Sequence, residues 1–357
     1  MNMTIRVAIL TAILCFLGAA PAWTASVQDA LDVFKQALAL HEAGKFKEAI
    51  EQYDRAIQID PSSAKAYFNR GKAYAELDDD ERALKDFSDA IRRDAKDGEI
   101  YYHRANAYRR LGQREHALQD YSVAIDLDPG NGDIRLDRGT THYELGQYEA
   151  ALRDYNEAIR LNPKDADAYY NRANTYAQMG RKERAIIDYD QALGLNGGFI
   201  EAYYNRGIAY ADLEQYDKAI QDYTAVVKAV PKAPEPYYNR GLAYYRSGRP
   251  EQAIEDYNEA LRLNPQDPEA IYNRGVAHAR LKKYDQAARD FTEVIVLMPK
   301  NGEAYGQRGL VRLRQGRNKE GEADLQKAYQ LDPKLKPLIE EAVKRGRNQE
   351  AEDQEKK

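Results

Sequence analysis

The chain has 357 residues, 43% hydrophobic and 31% charged, with a formal net charge of -5, a balance that suits a soluble protein and excludes little by itself. Mild acidity with the two signs interleaved does argue against broad nucleic-acid binding, because neutralising phosphates needs clustered Lys and Arg, and no basic tract stands out. The unusual count is 28 Tyr against 7 Phe and a single Trp, a bias that a conventional core does not need and that points to repetition.

In chain order, the first element is unlike the rest. Arg6 precedes an apolar run from Val7 to Ala19, and Ala20-Pro21-Ala22 supplies the small residues a signal peptidase requires. The run is shorter than the roughly 20 residues of a membrane-spanning helix, so residues 1–22 read as a secretory signal cleaved near Ala22 or Ala25, and no stable membrane insertion is expected afterwards. Cys15 is the only cysteine and falls inside this segment, with bulky Leu14 before it where a lipoprotein signal has a small residue. The processed chain would hold no thiol, which excludes disulfides, cysteine catalysis and thiolate metal sites, and suits a bacterial periplasm or secretion.

After a short linker (23–29), the sequence recurs with a fixed step of 34 and no insertion, giving nine repeats that start at residues 30, 64, 98, 132, 166, 200, 234, 268 and 302 and end at 335. The twentieth place reads Ala49, Ala83, Ala117, Ala151, Ala185, Ala219, Ala253, Ala287 and Gly321. Four residues on come Tyr53, Phe87, Tyr121, Tyr155, Tyr189, Tyr223, Tyr257, Phe291 and Leu325. Small then large at i and i+4 lie on one helical face, so a ring fills the space beside a close helix crossing. Each repeat splits into two amphipathic helices around a turn place held by Gly in six repeats and by Asp78, Glu214 and Lys282 in the others, where a left-handed residue ends the first helix. Pro61, Pro129, Pro163, Pro231, Pro265, Pro299 and Pro333 stop the second.

Arg recurs on the first helix (Arg70 through Arg308) and Asp on the second (Asp86 through Asp324), while repeat one has Gln36 and Gln52 in their stead. Charges that vanish together are expected to pair, within a hairpin or across to the next, where neither is tolerated alone. The five histidines have no metal-ligand spacing, and neither a phosphate-binding glycine loop nor a nucleophile elbow is present, so no enzyme activity, cofactor or metal is expected.

The pattern exemplified by Ala202-Tyr203-Tyr204-Asn205-Arg206-Gly207, continuing to Ala219, Tyr223 and Pro231, resembles the tetratricopeptide repeat family over residues 30–335. The resemblance implies an all-α fold, a right-handed α-solenoid superhelix of helix-turn-helix repeats whose first helices line an inner groove, with the second, fifth, sixth, ninth, twelfth and thirteenth places turned into it. Carried onto this chain, the sixth place gives Asn69, His103, Asn171, Asn205, Asn239 and Asn273, interrupted by Asp137 and followed by Gln307. The fifth gives Phe68, Tyr102, Tyr170, Tyr204, Tyr238 and Tyr272, interrupted by Leu136. Amides offer donor and acceptor to a peptide backbone and the rings give broad contact, so the expected partner is a protein or extended peptide. Some relatives clamp an acidic carboxyl terminus with Lys at the fifth and ninth places; here only Lys72 among the ninth places is basic, so that clamp is not implied. The alternative is a structural array that self-associates and has no fixed peptide ligand. Leu335, Leu338, Ile339, Ala342 and Val343 then predict a capping helix over 336–346, followed by a disordered polar tail (347–357).

Overall fold

A computed structural model describes residues 22–355, with side chains over 28–345. Residues 1–21, which carry nearly all of the expected signal, and 356–357 lie outside the described residues. The described chain is all-α, with nineteen helices and no strand. They are α1 (Ala22–Glu42), α2 (Phe46–Ile59), α3 (Ala64–Ala75), α4 (Asp80–Arg93), α5 (Gly98–Arg110), α6 (Arg114–Leu127), α7 (Gly132–Glu144), α8 (Tyr148–Leu161), α9 (Ala166–Gln178) and α10 (Lys182–Leu195). There follow α11 (Ile200–Asp212), α12 (Tyr216–Ala229), α13 (Pro234–Arg246), α14 (Pro250–Leu263), α15 (Pro268–Arg280), α16 (Tyr284–Leu297), α17 (Gly302–Arg314), α18 (Asn318–Leu331) and α19 (Leu335–Glu355). Odd-numbered helices up to α17 are the first of each hairpin and even-numbered ones the second. The chain divides into two compact units, the first ending at Thr175 and the second beginning at Tyr176, within α9.

Within the first eight hairpins the twentieth-place alanine is fully buried and lets the two helices approach, and the ring at the twenty-fourth place fills the gap beside it; in the ninth, Gly321 and Leu325 are buried at the same places. The eighth place of the first helix is the other side of that contact. A Cβ on Gly71 would lie 2.7 Å from Phe87 Cε1, and one on Gly139 2.8 Å from Tyr155 Cε1. The ring therefore lies against bare backbone, and Ala105 and Ala173 show that one extra carbon is the most this place carries. In the first compact unit Ile100 and Ile134, at the third place, carry the core on to the preceding hairpin; in the second, Ala270 packs with Leu261 in the same way. No hairpin encloses its own apolar surface, so each depends on its neighbours.

Left-handed residues end the first helices. Gly44, Gly112, Gly146, Gly180, Gly248 and Gly316 have positive φ, and so do Asp78 (58°), Glu214 (59°) and Lys282 (59°) at the same place. First helices start on side-chain caps in several repeats: Ser63, Asp97, Asn131, Asp267 and Asn301 each accept from a backbone N–H of the first turn.

Both ends differ from the expectation. Helix α1 begins at Ala22 and takes in the stretch read as a linker, because nothing after Pro21 breaks a helix. Helix α19 runs to Glu355, through the segment expected to be disordered, since Gly346 alone does not stop a helix followed by residues of high helical propensity and no Pro. Gly306 at the fifth place of repeat nine makes room for the cap: a Cβ there would lie 2.8 Å from Ile339 Cδ1, and Ile339 is buried.

Candidate peptide-binding surface

The repeated charges hold the hairpins together. Arg70, Arg104 and Arg138 in the first compact unit, and Arg206, Arg240, Arg274 and Arg308 in the second, each grip the aspartate sixteen residues on in a two-pronged ion pair. Arg240 is representative, donating from Nε and Nη2 to the two Asp256 oxygens at 2.8 and 2.7 Å. The third prong reaches back sixteen residues into the preceding hairpin: Arg70 Nη1 to Asp54 (2.5 Å), Arg104 to Ser88 (3.1 Å), Arg138 to Ser122 (3.2 Å), Arg240 to Thr224 (3.1 Å) and Arg274 to Asn258 (3.0 Å). Each arginine thus ties two helices of its own hairpin and one of its neighbour's. Burial pushes the Asp86, Asp222 and Asp256 carboxyls up from the usual aspartate range and the guanidinium pulls them back. These charges are spent inside the fold.

The fifth and sixth places are half-buried in every repeat in which a site residue was expected, except that Phe68, beside Asn69, is buried. In the second compact unit they meet across hairpins. Asn239 Nδ2 donates to the Tyr204 hydroxyl at 2.7 Å, and Asn273 Nδ2 to that of Tyr238 at 3.0 Å. Gln307 takes the amide's role toward Tyr272, whose phenol burial pushes up to about 12. In the first unit Tyr102 donates to Asp137 Oδ2 at 2.7 Å, and burial, reinforced by that carboxylate, pushes its phenol up to about 12. Phe68 has no hydroxyl to offer, and the next sixth place is His103, set edge-on at 5.3 Å between ring centroids. Burial, then the charges of Lys72 and Arg110, push His103 down to about 4. Asn69, opposite Phe34, turns back to the Lys65 carbonyl at 2.9 Å. Tyr170, Asn171 and Asn205 sit half-buried at the equivalent places.

The amide row expected to face a ligand with all of its hydrogen-bonding groups therefore commits one N–H to the preceding tyrosine in the pairs just named. Left toward solvent are the amide oxygens of Asn239 and Asn273 and the exposed edges of the tyrosines. These are acceptors and flat apolar contact, with phenols that stay protonated as donors. Among the described residues no group of His, Cys, Asp or Glu is arranged to hold a metal, and no helix is long and apolar enough to cross a membrane.

Two features escaped the sequence reading. The back-reaching arginine prong ends on a twenty-fifth place that is always polar, a signal visible in the repeats as Asp54, Ser88, Ser122, Asn156, Asp190, Thr224, Asn258 and Thr292. The ninth place governs the buried tyrosine hydroxyl: Asn106 accepts from Tyr121, and Thr140 lies 3.4 Å from the Tyr155 hydroxyl.

Comparison with known proteins agrees with this architecture. The family described as TPR repeat matches residues 37–78, 105–146 and 139–180, and tetratricopeptide repeat descriptions match 64–97, 166–199, 204–268, 238–296 and 272–335. The chain belongs to the tetratricopeptide repeat family and is an all-α solenoid of a kind that serves as a scaffold for protein–protein interaction. No curated protein matches it. Among solved structures, the C-terminal part of a TPR repeat-containing protein from Cytophaga hutchinsonii is similar at TM-score 0.59 and 21% identity, over 67% of this chain and 98% of that one. A tetratricopeptide repeat protein from Parabacteroides merdae is similar at TM-score 0.50 and 21% identity, over 70% and 98%. YrrB, described as a TPR protein with an unusual peptide-binding site, aligns at TM-score 0.48 and 27% identity over 53% and 97%, too loosely to transfer that site.

Proposed function

We infer that the chain is an exported adaptor that binds an extended peptide or a segment of a partner domain along the face of its first helices, by docking and without turnover. The observation that carries this reading is the tyrosine–amide row. Asn239 and Asn273 are oriented by their bonds to Tyr204 and Tyr238, so their free oxygens stand in fixed positions beside aromatic edges. Acceptors held in advance at a repeating interval suit the regularly spaced N–H groups of an extended chain, because little side-chain entropy remains to be lost on binding. Tyrosine adds contact area at low entropic cost. Location in the periplasm or outside the cell is supported by Arg6, the apolar run after it and the small residues before Trp23.

Crosslinking pull-downs from the native envelope, made with the natural chain and with the Asn239→Ala, Asn273→Ala double variant, test the binding face. Loss of partners in the variant is expected, and an unaltered set of partners contradicts docking there. Mass spectrometry of the purified native protein tests export through its N-terminal residue; a chain that still begins at Met1 contradicts it.

A further inference from the structure

The ninth place distinguishes the two compact units. After Leu38 it is polar in the first, at Lys72, Asn106, Thr140 and Asn174, and aliphatic throughout the second, at Ile208, Leu242, Val276 and Leu310. The polar version serves the core, as Asn106 and Thr140 do for the tyrosines beneath them. In the repeat of Leu242 that service is forfeited, since Tyr257 is fully buried and its hydroxyl has no partner, whereas Val276 and Leu310 stand against Phe291 and Leu325, which have no hydroxyl to serve. Yet the aliphatic side chains are not withdrawn into the core, since Ile208 is 38% exposed and Leu242, Val276 and Leu310 are half-buried. A residue that leaves a core hydroxyl unpaired and still shows apolar surface to water is placed for something outside the fold.

Second, sixth and ninth places lie at i, i+4 and i+7, on one face of a helix. At the end of the second compact unit they line one cleft of about 260 Å³, where Glu303, Gln307 and Leu310 meet Tyr272 from the hairpin before and Leu338 from α19. Leu338 is 64% exposed, so the cap leaves this cleft open and apolar on one wall. The second-place carboxylates along the same face, Glu201, Glu235, Glu269 and Glu303, are exposed and take part in no ion pair among the described residues. On the other flank Arg280 is committed to Tyr245, lying over its ring at 5.1 Å and donating to its carbonyl at 3.2 Å. Arg246 and Arg314 are exposed on that same flank, so the negative charge of this face is concentrated along its second places.

We propose that the first-helix face of the second compact unit recognises a protein segment in which aliphatic or aromatic side chains alternate with Lys or Arg. The apolar side chains lie on Leu242, Val276 and Leu310, with one anchored in the cleft beside Leu338, and the basic ones meet the second-place glutamates. This names the ligand class for the binding face of the preceding reading and rests on it.

The test pans a random twelve-residue peptide display library on the full-length chain and measures the synthesised winners against variants. Leu242→Asn with Leu310→Asn places on this face the residue that repeat three already carries at its ninth place, so the hairpins keep their fold, and Asn at 242 offers Tyr257 the partner it lacks. The expected winners combine apolar and basic residues, bind this double variant at least about tenfold more weakly, and bind Asn106→Leu, in the first unit, as they bind the natural chain. Winners that bind the Leu→Asn variant as tightly as the natural chain overturn the proposal. If those winners still lose affinity for Asn239→Ala with Asn273→Ala, the docking face stands and only its apolar specificity falls. Winners insensitive to both double variants, or a library that yields none, count against both readings.

Discussion

His103 takes the sixth place where the preceding ring, Phe68, has no hydroxyl, and it answers that ring with an aromatic edge where Asn239 and Asn273 answer with an N–H. Its proton affinity is pushed down to about 4, first by burial and then by Lys72 and Arg110. The unfolded chain holds an ordinary histidine that protonates near 6.5, so it takes up a proton before the folded chain does. Stability is thus fully present above that value and is lost as pH falls from 6.5 towards 4, by at most about 3 kcal/mol. His103→Asn, which installs the residue of five other repeats, is expected to narrow the stability difference between pH 7 and pH 5 measured by urea unfolding; an identical difference in the variant contradicts it. The arginine–aspartate pairs obey a different rule. Asp256 is only 5% exposed, so Arg240→Gln strands a buried carboxylate and is expected to cost about 3 kcal/mol. Adding Asp256→Gln recreates the Gln36 and Gln52 combination of repeat one and should recover most of that loss, which a urea denaturation series on the three variants checks.

At the scale of the hairpin, one place decides how the first helix ends. Asp78, Glu214 and Lys282 adopt the left-handed conformation that glycine adopts in the other six repeats. A side chain there is strained by about 1–2 kcal/mol, offset in part because glycine has more freedom to lose on folding. Glu214→Gly is expected to raise stability by roughly 0.5–1 kcal/mol, and a fall in the thermal midpoint contradicts this. These three positions were legible in the sequence because the period of 34 aligns them with glycine, and the period likewise exposed the small-then-large core contact and the vanishing charge pair. What one repeat cannot show is how the next is set upon it. The Asn239–Tyr204 bond spans 35 residues and the back-reaching arginine prong spans 16, so each depends on the offset between hairpins, which a residue pattern within one hairpin does not encode. Part of the hydrogen-bonding capacity of the candidate residues had therefore already been assigned to the stack. The long α19 was missed for a simpler reason: polar composition was taken as disorder, whereas a run of Glu, Gln, Lys and Ala sustains a helix once a docked turn has started it.

In each compact unit apolar surface is buried between consecutive elements, as at Ala37, Tyr53 and Ala73 in the first and at Leu325, Ala328 and Ile339 in the second. Such a stack has no single centre, and its stability is a sum of neighbour contacts. No element has to cover the first-helix face, which is the face proposed to bind. Native-state amide hydrogen exchange on the full-length chain reads this directly. Interior hairpins such as α5 with α6 and α13 with α14 are expected to exchange more slowly than the terminal α1, α2 and α19, with opening energies that decline stepwise toward each end. A single opening energy shared by every helix from α1 to α19 would mean one common core, and would contradict a fold built from neighbours alone.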